Sequence, residues 1–425
     1  MTARIERCTP ADLMQLASDL PGSPMQVAAV LVLASTPELT AVRAALGERI
    51  KAVPRLRQRL ARTAFGGGRP VWVDDPEFHI RNHVDAVAGD EAGLLGVAAA
   101  TVSRRLPRDR PLWSVTLVTG LPGGGAALIT VLHHVLADGL GGLAVLGCLI
   151  DGSPAAPESG FPRPAPGRRD LVLDAARRRL RALRRRPTIP ALGGGTAPRP
   201  PHSSLNRPIG DHRRLAVARA DLAGLRRVAH AHGATVNDAL LTAVSGALCG
   251  VLRRRGEDID RFVLSVPVAA RHAAAADQLG NQVGFMPVPV LVAGDPLQRL
   301  AAVARTTRDR RPADPQASAA LIRPLFRVLA AVGLFRWFAD RQPLVTTMVT
   351  DLRGPATRLS FLSVPVTEIL PVTPITGNVT VGFAALSYAG TLVVTVTADP
   401  DRCPDLPWLA TRLQGELDGL VAVGA

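Results

Sequence analysis

Val131-Leu132-His133-His134-Val135-Leu136-Ala137-Asp138-Gly139 is the stretch on which the reading of this chain turns. It continues the apolar run Ala126–Leu132, which follows a glycine-rich turn at Gly120–Gly125 and predicts a buried central strand. The two histidines therefore stand where a strand ends and a turn begins, a place that often presents side chains to a cleft. Imidazole is the side chain best suited to moving a proton near neutral pH. His134 is the candidate general base, placed to take a proton from a bound hydroxyl and return it to a leaving group. His133 is a second candidate. For both there is also a plainer reading, a core histidine bonded to backbone, and it stays more open for His133.

Asp138 and Gly139 complete the pattern. A carboxylate in so apolar a segment has to find a cation or several N–H donors, because burying it unpaired is costly. Asp138 is read as structural support for the loop carrying His134, with an arginine as the expected partner. Gly139 is expected to allow a backbone geometry that a side chain would forbid. A base acting directly on a hydroxyl requires no covalent enzyme intermediate, and the chain has no Gly-x-Ser-x-Gly nucleophile elbow.

The rest of the chain sets bounds on that chemistry. Its 425 residues exceed one ordinary core and favour two domains of roughly 200 residues each. Nearly half are hydrophobic (47%), which favours large buried cores over disorder. The formal charge is +15, carried almost wholly by arginine, with Lys51 the single lysine. Such a charge fits a solvated basic surface, and equally an acidic partner such as a phosphorylated cofactor or an anionic membrane. Nucleic acid is disfavoured, since one tyrosine and 4% aromatics leave little to stack on bases. Cys8, Cys148, Cys249 and Cys403 are widely separated, so neither a metal site nor a disulfide framework is expected. The opening residues lack the apolar core of a signal peptide. No uncharged run reaches the length of a membrane span: Leu321–Phe338 comes closest, but Arg323, Arg327, Arg336 and Pro324 interrupt it. The expectation is a cytoplasmic chain that touches a membrane without crossing it.

Helix and strand signals divide the chain in two. Thr9-Pro10-Ala11-Asp12 reads as a capped helix start, Met25–Leu33 as a strand, and Thr36-Pro37-Glu38 as the opening of a helix running to Ile50. A helix is expected over Leu140–Ile150. From 153 to 204 the composition turns to Pro, Gly, Ala and Arg, marking a linker between a first domain (1–152) and a second (205–425). Inside it Leu173, Ala176, Leu180 and Leu183 recur at helical spacing among Arg177, Arg178, Arg179, Arg181, Arg184, Arg185 and Arg186. That is a basic amphipathic helix, suited to an anionic lipid surface or to packing between domains by its leucines. In the second half, helices are expected over Asp221–His230, from Thr235-Val236-Asn237-Asp238 to Arg255, and over Pro407–Val421. Strands are expected at 213–218, 262–268, 285–292, 345–350, 379–386 and 391–397.

On these motifs the chain resembles the bacterial wax ester synthase/acyl-CoA:diacylglycerol acyltransferase family of the CoA-dependent acyltransferase superfamily. His133-His134-x-x-x-Asp138-Gly139 matches its active-site motif. Arg110-Pro111-Leu112-Trp113, Trp72-Val73-Asp74-Asp75-Pro76-x-Phe78 with His83-Val84, Gly280-Asn281-Gln282-Val283 and Asp399-Pro400-Asp401 also fit. Thr235-Val236-Asn237-Asp238 is similar to the family's Asn-Asp motif. The resemblance implies an α+β fold of two chloramphenicol-acetyltransferase-like domains flanking a central substrate tunnel. It implies transfer of a long-chain acyl group from acyl-CoA, as substrate rather than cofactor, to diacylglycerol or a long-chain alcohol. Asn237 and Asp238 would then be substrate-binding candidates, with a helix-start role as the alternative; Trp113 is read as core. Leu56-Arg57 is a weak match to the segment that supplies the motif aspartate's arginine in related condensation domains. Thr350-Asp351-Leu352-Arg353-Gly354-Pro355 departs from the family's Asn-Val-Pro-Gly-Pro by carrying a charge pair, which bears on substrate preference.

Two other functions compete with acyl-CoA:diacylglycerol acyl transfer. One is a condensation-type acyltransferase drawing its acyl group from a carrier protein. The other is a catalytically weak lipid-binding paralogue at a membrane or lipid-droplet surface.

Overall fold

A computed structural model describes residues 5–89, 93–153, 160–184, 199–269, 283–310, 326, 328–329 and 332–423. The apolar run becomes β7 (Ala126–His133), buried at every residue. Such a strand is stable only with a neighbour on each side and cover on both faces. It pairs antiparallel with β2 (Gln26–Leu33) and β6 (Trp113–Thr119), and β5 (Val84–Ala88) adds a parallel edge to β6. Beyond β2 the sheet is extended by β13 (Val364–Val372) and β12 (Ser360–Phe361), giving six strands in the order β12-β13-β2-β7-β6-β5.

A second six-stranded sheet occupies the other half. Its order is β10 (Val283–Leu291), β9 (Arg261–Ala269), β11 (Thr347–Arg353), β14 (Val381–Tyr388), β15 (Thr391–Ala398), β8 (Arg214–Asp221). The β14–β15 hairpin turns at Ala389 (φ 46°) and Gly390 (φ 91°), two left-handed residues that match the twist of the flanking strands. One face of this sheet is covered by α6 (Leu222–Ala231), α7 (Val236–Arg254), α8 (Pro296–Arg310) and the last helix, Leu406–Val423. Among the described residues α7 alone is long and apolar enough to cross a membrane, and 78% of that window is buried inside the protein. Its charge-free stretch runs only from Ala239 to Leu252, short of a membrane span, and the helix is the spine of the second core.

The fold is thus α+β, with a mixed sheet in each half. The chain crosses between the halves, because Ser360–Val372 leaves the second half and pairs with β2 of the first. A cut within 153–204 leaves this segment on the far side of the boundary. A third apolar core lies between the sheets, where Val97 and Ala98 of α3 (Gly93–Ser103) and Val131 meet Leu215, Leu370 and Val393. A small sheet of β1 (Glu6–Arg7), β4 (Val71–Asp74) and β3 (Gln58–Ala61) completes the first half.

Two local expectations shift. α2 (Leu39–Arg49) starts later than Thr36 because the Thr36 hydroxyl donates to the Gly124 and Gly125 carbonyls (3.2 and 3.3 Å) instead of capping the helix. The basic linker helix, α5 (Arg168–Arg184), does not pack by Leu173 or Leu180. Arg7 grips the other face through Asp174 (2.6 Å) and the Leu171 carbonyl (2.8 Å), and Ala175 is buried there. Leu173 and Leu180 face outward, 54% and 50% exposed. Arg185 and Arg186 lie outside the described residues, as do Gly280-Asn281-Gln282 and most of Leu321–Ala331.

Candidate active site

The turn after β7 sets the site. Strand alternation sends Thr130, Leu132 and His134 to one side and His133 to the other. His134 is half-buried, and its N–H donates to the Met25 carbonyl at 2.7 Å. Its side chain lines a cavity of about 290 Å3 between the two sheets. The first half contributes Val27 and Ala29 of β2, Met14 and Gln15 of α1 (Pro10–Ser18), and Leu143 and Leu146 of α4 (Gly139–Leu149). From the second half come Pro267, Met348, Thr350, Leu352, Ala384 and Leu386. The walls are largely apolar. Among the described lining residues His134 and Asp138 are the only titratable side chains.

His133 is not among the described residues that line the cavity. It is 3% exposed, and its Nδ1 accepts the Val135 N–H at 3.0 Å. The ring proton therefore sits on Nε2, which faces Asp19 Oδ2 at 3.5 Å, longer than a good hydrogen bond. Asp19 was not foreseen. Burial alone would raise its pKa, but His133, Arg108 and Arg105 outweigh burial and hold the carboxyl well below the usual range.

Asp138 supports the loop by capping a helix. It is the N-cap of α4, and its Oδ1 accepts the Gly141 N–H at 2.9 Å. That bond satisfies one of the helix's open amides and favours negative charge at its positive end. Arg57 is buried, with its guanidinium 4.1 Å above the Phe161 ring. Gly139 serves close packing rather than the backbone geometry expected. Its φ is not positive; a Cβ there would lie 2.9 Å from Leu352 Cδ2, so the glycine lets β11 of the second half approach the motif.

The second-half motif behaves differently: Asp238 caps a helix. Thr235 is the N-cap of α7, and Asp238 Oδ2 accepts both the Thr235 N–H and hydroxyl at 2.8 Å. The Thr235 hydroxyl accepts the Asp238 N–H in return (3.2 Å), a reciprocal capping box. Oδ1 is taken by the Thr307 hydroxyl at 2.7 Å, so the carboxylate is spent on structure. Asn237 is half-buried in the first turn of α7, and neither residue appears among the described residues of the cavity wall.

The remaining motifs are scaffold. Trp113 is core: its Nε1–H donates to the Leu56 carbonyl (2.7 Å), and it stacks in a column with His83 and Phe78. Asp74 takes a bidentate pair from Arg163. Asp399 accepts the Gly210 N–H at 2.6 Å and ties the second half's entry to the end of β15. On β11 the charge pair sits beside the site. Thr350 and Leu352 face the cavity, while Asp351 lies on the opposite face, partly buried. Burial pushes the Asp351 carboxyl up to about 6, with Arg353 opposing.

Comparison with known proteins agrees with this architecture. Residues 8–240 match the model of the wax ester synthase/diacylglycerol acyltransferase catalytic domain, and residues 279–420 that family's C-terminal domain. A Mycobacterium tuberculosis protein named a probable diacylglycerol O-acyltransferase is 32% identical over 417 residues, covering 91% of this chain and 89% of the relative. The structure of a wax ester synthase/diacylglycerol acyltransferase from Marinobacter aquaeolei VT8 superposes with a TM-score of 0.71 at 21% identity, covering 98% of this chain and 99% of that one. The first condensation domain of the CDA synthetase shares the fold at a TM-score of 0.60 and 18% identity, covering 99% and 97%. The two halves are therefore the two chloramphenicol-acetyltransferase-like domains expected, meeting at the cavity that holds His134. The chain belongs to the wax ester synthase/diacylglycerol acyltransferase family.

Proposed function

We propose that this protein is an O-acyltransferase that moves a long-chain acyl group from acyl-CoA to diacylglycerol, forming triacylglycerol, or to a long-chain alcohol, forming a wax ester. The observation that carries the reading is the His134 ring on an apolar cavity walled by both halves, with Asp138 already committed to a helix cap. His134 takes the acceptor's hydroxyl proton as that oxygen bonds to the thioester carbon. The C–S bond then breaks, and the proton passes to the departing thiolate, so an ester and free CoA leave the site. Apolar walls suit an acyl chain and exclude the water that would hydrolyse the thioester.

Purified protein given radiolabelled acyl-CoA should label triacylglycerol with diacylglycerol as acceptor, or wax ester with hexadecanol. Label appearing only from an acyl-carrier protein would move the assignment to a condensation-type donor, and label in neither product would remove it.

The acceptors are insoluble in water, and the protein is proposed to meet them from the cytoplasm, at an anionic membrane or lipid-droplet surface. Support comes from α5, which is held to the body by its Asp174 face and turns Leu173 and Leu180 outward among arginines. Replacing both leucines by Ser should reduce sedimentation with anionic vesicles; unchanged sedimentation would eliminate α5 as the contact.

A further inference from the structure

We infer that Asp19 is a positioning residue for the His134 base, closing a ring of contacts that fixes the backbone on both sides of His134. The inference rests on His134 being the base. Asp19 follows the last residue of α1 and is 8% exposed. Its Oδ1 accepts the Met25 N–H at 3.0 Å, and the Met25 carbonyl accepts the His134 N–H at 2.7 Å. Its Oδ2 faces His133 Nε2 at 3.5 Å, and His133 Nδ1 accepts the Val135 N–H at 3.0 Å. The ring thus runs from Asp19 through Met25 to the amide of His134, and from Asp19 through His133 to the amide of Val135. Both peptide N–H groups that bracket the base are thus linked to one carboxylate at second hand, one through the Met25 peptide and one through the neighbouring imidazole.

The carboxylate is itself anchored. Arg105 and Arg108 donate to Oδ2 at 2.7 and 2.5 Å. Their segment is pinned by the Gln26 amide, which donates to the Val102 and Arg104 carbonyls and accepts the Leu106 N–H. The loop between Asp19 and Met25 is also tied to the opposite half, through the Ser23 hydroxyl to the Ile375 carbonyl (2.9 Å) and Arg213 to the Gly22 carbonyl (2.8 Å). The height of His134 in the cavity is therefore set against both walls at once. Asp19 does not line the cavity and acts through its neighbours.

The test compares kcat and both KM values, with melting temperature as control, in Asp19→Asn, His133→Asn, the double variant and His134→Ala. The amide in Asp19→Asn cannot accept from Met25 and from His133 together. His133→Asn keeps an oxygen near the Nδ1 position for Val135 but loses the group facing Asp19. Each single variant should lower kcat by about tenfold or more with both KM values within about twofold, since misplacing a base penalises the reaction rather than binding. The double variant should be no slower than the slower single, because both break one ring. A kcat within about twofold of wild type in either folded single variant, or losses that multiply in the double, would overturn the inference. If Asp19→Asn does not fold, His133→Asn decides by the same criterion. An inactive His134→Ala beside a fully active Asp19→Asn defeats the ring alone, whereas an active His134→Ala defeats the base assignment beneath it.

Discussion

The two halves each carry a short polar motif at the start of a helix, and the structure uses them in opposite ways. In the first half, Asp138 caps α4 and the residue four places earlier, His134, opens onto the cavity. In the second, Thr235 and Asp238 cap each other at the start of α7, and Thr307 takes the last carboxylate oxygen. Both aspartates serve helix ends, where a carboxylate accepts open amides and meets the positive end of the dipole. The difference lies in what precedes the cap. A fully buried strand delivers His134 to the meeting place of two sheets, whereas Thr235 follows a surface turn after α6. A polar motif becomes chemical when the fold brings a second wall to it.

That contrast can be broken at its two ends. His134→Ala should lower turnover on the order of 10^2- to 10^4-fold, the usual contribution of a general base, with little change in melting temperature. Asp238→Ala should do the reverse. Losing the capping box and the Thr307 bond costs roughly 1–3 kcal/mol of stability, while the KM for acyl-CoA in the remaining folded protein stays near wild type. Chemical denaturation and steady-state kinetics on the same two samples separate the effects. A large rise in KM for Asp238→Ala without loss of stability would return that residue to the substrate site.

A smaller effect sharpens the comparison on the wall between the halves. The Asp351 carboxyl is pushed up to about 6 in the folded protein, above the value of about 3.9 for an unfolded carboxylate. The folded state therefore holds the proton more tightly, so the group costs nothing below pH ~4 and destabilises as pH rises through 6. Asp351→Asn should stabilise the protein by on the order of 1 kcal/mol at pH 8, and the gain should vanish near pH 4. A gain independent of pH would mean that the carboxylate is not the source of the penalty.

Much of this was legible in the chain because it is local. The run Ala126–Leu132, the caps at Thr9 and Thr235, and the core position of Trp113 follow from burial and from helix-end chemistry that neighbours in sequence determine. What escaped depends on pairs far apart. Val364–Val372 is absent from the expected strands, and nothing in it shows that its partner is β2, more than three hundred residues earlier. Gly139 gives no sign that Leu352 will press against it. Asp19 sits in a plain turn, and its value comes from Arg105 and Arg108 on one loop and His133 at the end of β7. The leucine row of α5 was visible, but the grip of Arg7 on the other face decided which side looks outward.

The central claim is that the imidazole at position 134 moves the proton during acyl transfer. The most direct test is single-turnover transfer from labelled acyl-CoA in His134→Ala, with acyl-CoA affinity measured on the same sample. The account predicts a Kd within about twofold of wild type and a transfer rate lowered at least about a hundredfold. Transfer within about tenfold of wild type by a variant that binds acyl-CoA normally would contradict it.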